Sequence, residues 1–204
     1  MKSKDLGALA WRKMGDLLPA VVQDAGTRQV LMLGYMNPEA LAKTLKTGLV
    51  TFYSRSKKRL WQKGETSGNT LRLVDIVRDC DSDALLVSAE PKGPACHRDT
   101  ASCFAEEAAP GLGFLGRLDA LVEDRRREMP EGSYTSKLFK EGVDRAAQKV
   151  GEEAVEVAIA AKNPDRDALA AEAADLLYHL MVLLRCRDMC LSDVIEVLRR
   201  RHRA

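Results

Sequence analysis

Apolar and polar positions along the chain change their period near its middle. From residue 19 to about 87, short apolar and β-branched runs alternate with turn residues, at 20–22, 30–33, 49–53, 71–77 and 84–87. Runs of this length and composition predict strands. A single helix is expected to interrupt them from residue 38 to about 46, capped by Asn37, with Pro38 at its first position and Gly48 just past its end. Residues 105–116 follow neither period and contain Ala-Ala-Pro-Gly-Leu-Gly, so a domain boundary is expected there. Beyond it the spacing is helical, over 114–129, 136–162, 164–187 and 192 to about 200, with Asn163 and Pro164 dividing the two long helices. The fold class expected is therefore two domains: an N-terminal α+β domain, mainly strands, over 1–110, and a C-terminal all-α helical bundle over 111–204.

Composition narrows the partners. With 204 residues, 46% of them hydrophobic, the chain can bury one sizeable core or two small ones. Its 32 basic and 30 acidic residues nearly cancel, which leaves no general argument for nucleic acid or a membrane surface. No apolar run approaches the roughly 20 residues that span a bilayer. The start, Met-Lys-Ser-Lys-Asp, lacks a signal peptide's apolar stretch, so a cytoplasmic location is expected. The basic run at 199–203 reads as a helix end favoured by the macrodipole.

Five cysteines in a reducing compartment are better read as ligands or nucleophiles than as disulfides. Cys186 and Cys190 lie among Leu183, Leu184, Met189 and Leu191 and are expected to be buried thiols. Cys80, Cys96 and Cys103 fall within one short segment, and Cys80 is enclosed by acids in Asp79-Cys80-Asp81-Ser82-Asp83. Thiolates suit zinc and carboxylates suit magnesium. If 79–83 is extended, Asp79, Asp81 and Asp83 share one face and one magnesium, and Cys80 points the other way. Cys80 would then join Cys96 and Cys103 most easily in a symmetry-related subunit, so an obligate homodimer is expected. Three thiolates leave the fourth tetrahedral position of a zinc ion open to water. The competing arrangement is a closed structural site with His97 as fourth ligand; otherwise His97, beside a ligand, serves as general acid or base.

The loop 54–69 mixes cations, hydroxyls and glycines. Arg55, Ser56, Lys63 and Ser67 are candidate phosphate contacts, although a solvated loop has the same composition. The stretches Leu31-Met-Leu-Gly-Tyr-Met-Asn-Pro-Glu-Ala-Leu41, Ser54-Arg-Ser56, Leu60-Trp61, Lys63-Gly64-Glu65, Asp79-Cys-Asp-Ser-Asp-Ala-Leu-Leu86, Gly93-Pro-Ala-Cys-His97 and Ser102-Cys-Phe104 together resemble phosphoribosyl-AMP cyclohydrolase. The resemblance covers nearly the whole first half. It implies zinc at Cys80, Cys96 and Cys103, magnesium at Asp79, Asp81 and Asp83, and hydrolytic opening of an adenine ring. The chain departs from that family's pattern at Arg98-Asp99, where a small hydroxyl residue and glycine are usual. If that glycine uses positive φ, Asp99 is a tolerable replacement.

In the second half, Glu152 and Glu156 are four apart and face one side of a helix, with Glu153 about 100° round from Glu152. On the next helix Glu172 and Asp175 are three apart. Asp175 precedes Leu176, Leu177 and Tyr178, where a carboxylate is costly unless paired or bound to metal. Facing helices that carry acids are how bundles build divalent-ion sites. The pattern Glu152-Glu-Ala-Val-Glu156, then Glu172-x-x-Asp175, with Tyr134-Thr-Ser-Lys-Leu138 ahead of it, resembles phosphoribosyl-ATP pyrophosphatase. The resemblance implies magnesium held by Glu152, Glu153, Glu156, Glu172 and Asp175, and a water positioned by Glu153 or Glu156. Lys137, Lys140, Arg145 and Lys149 are then candidate phosphate contacts, or else plain exposed helix cations.

The two families catalyse consecutive steps and occur fused in this order in histidine biosynthesis. The implied function is conversion of phosphoribosyl-ATP to phosphoribosyl-AMP, followed by ring opening of phosphoribosyl-AMP. The competing reading is a zinc-stabilised binding module fused to a general nucleotide pyrophosphohydrolase.

Overall fold

The computed structural model describes residue 6, residues 9–104 and residues 111–202. The expected boundary region lies partly outside these. The chain divides into two compact units between Leu115 and Gly116.

Among the described residues the first unit holds six strands and one α-helix: β1 (Leu18–Asp24), β2 (Val30–Met36), α1 (Pro38–Thr47), β3 (Thr51–Ser54), β4 (Arg59–Gln62), β5 (Leu71–Arg78) and β6 (Leu85–Pro91). Four strands form a mixed sheet in the order β2-β1-β6-β5, and β3 and β4 form a separate hairpin. Alternation along β1 turns Leu18, Ala20 and Val22 inward. Parallel pairing sets Ala20 beside Leu85 and Val22 beside Val87, and all five side chains are buried. In β5 a register shift between Leu73 and Asp75 moves the inward set from Leu71 and Leu73 to Ile76. Helix α1 is bounded as its residues dictate: Asn37 Oδ1 accepts from the Ala40 amide at 2.8 Å, and Gly48 closes the helix at φ 70°. At Gly34 a methyl group would stand 2.4 Å from the Phe52 ring, so β2 packs on that ring only because it carries glycine there.

Two expectations fail in this unit. Residues 59–62, expected as loop, form a strand, because Trp61 pairs with Phe52 across the hairpin with ring centroids 5.6 Å apart. Residues 79–83, considered as extended chain, instead make the turn joining β5 to β6, with Ser82 at φ 67°.

The second unit is helical: α2 (Gly113–Glu128), α3 (Tyr134–Glu141), α4 (Val143–Ala160), α5 (Arg166–Arg185) and α6 (Leu191–Arg201). The helix expected over 136–162 is two, broken at Gly142, whose φ of 87° and ψ of −175° leave the helical region. Asn163 does not cap α5. Asp165 does, its Oδ1 accepting from the Asp167 and Ala168 amides, both at 3.0 Å. Val122, Leu138, Ala146 and Val182 make a small apolar core. Beside it Arg185 meets Asp119 at 2.7 Å, tying α5 to α2. The expectation of buried Cys186 and Cys190 is corrected: both are half-exposed, and Cys190 is the N-cap of α6, hydrogen-bonded to Asp193. Among the described residues no helix is long and apolar enough to cross a membrane.

Candidate active sites

In the first unit the β5–β6 turn gathers Asp79, Asp81 and Asp83, with one carboxylate oxygen of each within 4.8 Å of the others. A turn achieves what alternation along a strand was expected to do. Asp79 Oδ1 accepts from the amides of Asp83 and Ala84 at 3.0 and 3.1 Å, which fixes the turn and leaves the other oxygens to face outward. The Lys13 ammonium, from the 3-10 turn Trp11–Met14, is seated among these acids, 2.8 Å from Asp81 Oδ2 and 2.6 Å from Asp83 Oδ2. Hydrogen bonding to Lys13 holds the Asp81 carboxyl below its usual range. A cation already sits where a divalent ion would be held, so the donor set fits magnesium. Lys13 carried no motif and was missed.

Cys96 and Cys103 meet at a cleft of about 380 Å³, also lined by Met32, Trp61, Lys63, Ser67, Asn69 and His97. Cys96 is buried, and the Arg98 amide and the Thr100 hydroxyl pull its thiol below the ordinary range. Desolvation, then the neighbouring Cys96, push Cys103 up. Two thiols sharing a hydrogen bond and pushed apart in acidity suit a soft metal that takes both as thiolates. Cys80 is exposed, and among the described residues no cysteine joins the carboxylate trios, nor do Cys80, Cys96 and Cys103 together form such a group within one chain. The His97 Nδ1 lies 3.9 Å from Cys96 Sγ, at the cleft wall.

Lys63 is buried, donates to the Asn69 carbonyl at 3.2 Å and is lowered from its ordinary value by that burial. Gly64, at φ 80°, lets the chain pass so close to Asn69 that a methyl group would meet its carbonyl at 2.4 Å. Ser67 lines the cleft, but Arg55 lies over the Tyr35 ring at 3.8 Å and Ser56 pairs with Ser54, and neither faces it. Asp99 adopts φ 59°, the region glycine would use, so the turn after His97 survives the departure.

In the second unit the carboxylates that converge are Glu153, Glu156 and Glu172, again within 4.8 Å of one another. Glu153 and Glu156 are three apart on α4, and Glu153 falls on the buried stripe Ala146, Glu153, Ala160. Glu152 was expected on the same face as Glu156. It instead turns to Gln148, at 2.8 Å, and Lys149, at 3.0 Å, outside the trio. Asp175 was expected to need a partner among apolar neighbours, but it is exposed, so water solvates it. Lys149 bonds Glu153 at 2.7 Å and holds that carboxyl below its ordinary range, whereas a hydrogen bond shared with Glu153 and the charge of that neighbour, then burial and Glu172, raise Glu156. Crowded acids of which one is pushed up are a donor set short of positive charge, which fits a divalent cation. Arg145 contacts Glu141 and Glu152 at 3.5 and 3.6 Å, and Lys137 contacts Glu141 at 3.8 Å. Lys137 and Lys140 line a second cleft, of about 450 Å³, with Ser133, Tyr134 and Ser136. Tyr134, Tyr178 and His179 form a network around Glu153 that no periodicity predicts.

Comparison with known proteins agrees with this division. Residues 32–105 match the family model described as Phosphoribosyl-AMP cyclohydrolase, and residues 115–202 match that of Phosphoribosyl-ATP pyrophosphohydrolase. The chain is 59% identical over 197 residues to the histidine biosynthesis bifunctional protein HisIE of Xanthomonas axonopodis pv. citri, covering 97% of this chain and 94% of the relative. It is 60% identical to the protein of that name from Xylella fastidiosa, over 96% and 93% of the two chains. To that of Escherichia coli K12 it is 56% identical, over 95% of each.

Proposed function

We propose residue roles for a chain that belongs to the family of histidine-biosynthesis bifunctional proteins, in which a phosphoribosyl-AMP cyclohydrolase is joined to a phosphoribosyl-ATP pyrophosphohydrolase. The chain is a bifunctional, metal-dependent hydrolase of histidine biosynthesis. Its second unit hydrolyses phosphoribosyl-ATP to phosphoribosyl-AMP and pyrophosphate, and its first opens the adenine ring of phosphoribosyl-AMP. The observation that carries the residue roles is that each unit gathers its own carboxylate trio, with a thiol pair at the cleft of the first. The domains are taken as 1–110 and 111–204, and the cytoplasm as the site of action.

For ring opening, Cys80, Cys96 and Cys103 would hold zinc, whose chemistry would be to ease deprotonation of a water for attack on the adenine C6. Asp79, Asp81 and Asp83 would hold magnesium, an ion suited to the substrate's phosphate. His97, at the cleft wall, moves the proton from the attacking water to the departing ring nitrogen, so the carbon–nitrogen bond breaks without charge accumulating on the leaving atom. Lys63 and Ser67 orient the substrate. Because Cys80 stands apart from the other two thiols, we assign it to the site of a second subunit. A homodimer also gives Val155 and Ile159, each 58% exposed and four apart on α4, an apolar face to meet.

For pyrophosphate release, Glu153, Glu156 and Glu172 would hold magnesium, with Glu152 and Asp175 at the margin of the site, and the ion would supply positive charge for the phosphate oxygens. Glu156, at the edge of that trio, takes the proton of the attacking water, while Lys137 and Lys140 bind the phosphate chain. Arg145 and Lys149 serve mainly as counter-charges to the glutamates.

The test is to incubate the protein with phosphoribosyl-ATP, magnesium and zinc, following pyrophosphate and the absorbance change of ring opening. Cys103→Ala should abolish only the second signal, whereas Glu153→Gln should abolish both and regain ring opening when phosphoribosyl-AMP is supplied directly. Ring opening that survives Cys103→Ala removes the zinc assignment.

A further inference from the structure

His179 is 5% exposed, yet both its ring nitrogens are engaged. Nδ1 lies 2.9 Å from the Asp175 carbonyl oxygen, one turn back on α5. A carbonyl only accepts, so Nδ1 carries the proton; in the neutral ring Nε2 is then an acceptor, and the Tyr134 hydroxyl donates to it at 3.1 Å. The protonated edge also faces the Glu153 carboxylate, with Nδ1 3.6 Å from Oε1, too long for a hydrogen bond but close enough to orient the charge. A flipped ring would turn a carbon edge on both the carbonyl and the carboxylate. Tyr134 opposes that flip through its hydroxyl and through an edge-on ring contact of 6.1 Å. Tyr178 adds a second tie from α5 to α3 through Thr135, at 2.8 Å.

We propose that His179, locked by Tyr134, is a positioning residue for pyrophosphate release: it sets Glu153 within the carboxylate trio and couples it to α3, the helix that carries Lys137 and Lys140. The inference rests on the assignment of that trio as the metal site. Burial supplies its physical warrant, since a buried polar ring is retained at a cost unless each nitrogen has a use. Leucine would fill the space without fixing a carboxylate. Besides Glu156 and Glu172 of the trio, the groups facing the Glu153 carboxylate are Lys149 from its own helix, which provides charge, and His179 from the next, which provides direction.

Tyr134→Phe, His179→Gln and His179→Asn separate this from a packing role. Asn keeps a donor near the position of Nδ1, whereas Gln keeps an acceptor near that of Nε2 and loses the donor. In the full chain, Tyr134→Phe and His179→Gln should lower kcat for pyrophosphate release about 10-fold with KM within about twofold. Both should also weaken, by a similar factor, the class of Mn2+ sites that is missing from Glu153→Gln, read by electron paramagnetic resonance. His179→Asn should recover most of both, and adding Tyr134→Phe to it should change nothing further. The helical circular-dichroism signal and melting curve of the same chains report folding, and Tyr134→Phe, which removes only a hydroxyl, keeps the test alive if His179→Gln does not fold. If Tyr134→Phe and His179→Gln shift only the melting temperature, with kcat and Mn2+ binding as in the parent, the positioning role is overturned. If Glu153→Gln itself still releases pyrophosphate, the trio assignment beneath it has failed instead.

Discussion

The Lys149 ammonium stands 2.7 Å from Glu153 Oε1, and the Glu153 side chain it pairs with is only 6% exposed. A second bond to Glu152 at 3.0 Å makes Lys149 the shared counter-charge of an acid inside the metal trio and one outside it. Lys149→Met should therefore lower stability by about 1 kcal/mol without divalent ions, well under the cost of breaking a fully buried pair because Lys149 itself keeps contact with water. Saturating magnesium should restore most of the loss. Melting curves with and without the ion decide it, and a loss indifferent to magnesium would show that the pair is unrelated to the metal.

The neighbouring carboxyl behaves oppositely. Glu156 is raised above its ordinary value of 4.5 by its hydrogen bond and charge contact with Glu153, then by burial and Glu172, so its ionised form is the strained one in the folded chain. Its penalty is present when the folded group is ionised and is relieved as pH falls through the raised pKa. Glu156→Gln should raise the melting temperature at pH 7 in chelator, and the gain should vanish below pH 4.5. A gain that persists in acid would point to packing, not charge.

Cys80 offers a subunit test. If it completes the partner's site, Cys80→Ala and Cys103→Ala chains are each inactive in ring opening, but mixed dimers regain one intact site of two. Co-refolding equal amounts should give about a quarter of parental activity, since half the dimers are mixed. Recovery absent from a verified mixed dimer would place all three thiols in one chain.

Gly34 offers a test of the scaffold. A methyl group there meets the Phe52 ring at 2.4 Å, so Gly34→Ala should cost about 1–3 kcal/mol by denaturant unfolding. Ring opening should fall with it, because Phe52 backs Trp61 at the cleft. Pyrophosphate release should stay unchanged.

What the residues revealed beforehand follows from the range of the forces involved. Helix α1 was legible because Asn37, Pro38 and Gly48 act within one turn of its ends. Strand β4 was not, since Arg59 and Gln62 read as loop until Trp61 finds Phe52 across the hairpin. Gly142 sits inside a continuous helical pattern, and only its backbone angles reveal the break. Asp79, Asp81 and Asp83 do lie close together, but through a turn and not through the extended geometry on which they were grouped. On α4, which glutamates converge depends on the stripe that faces inward, and that is a property of the assembled bundle. The Tyr134–His179 bond joins residues 45 apart in sequence and leaves no periodic trace.

Lys13 carries a last implication. Its ammonium rests between Asp81 and Asp83 and comes from a separate element of the chain. On the assignment proposed above, loading magnesium there is ion exchange: a tethered cation leaves and a free one enters. The displaced amine remains within reach and competes again at each dissociation. Occupancy then depends on the free divalent concentration against a fixed internal rival, and the acidic turn is held folded by its own chain before any ion arrives.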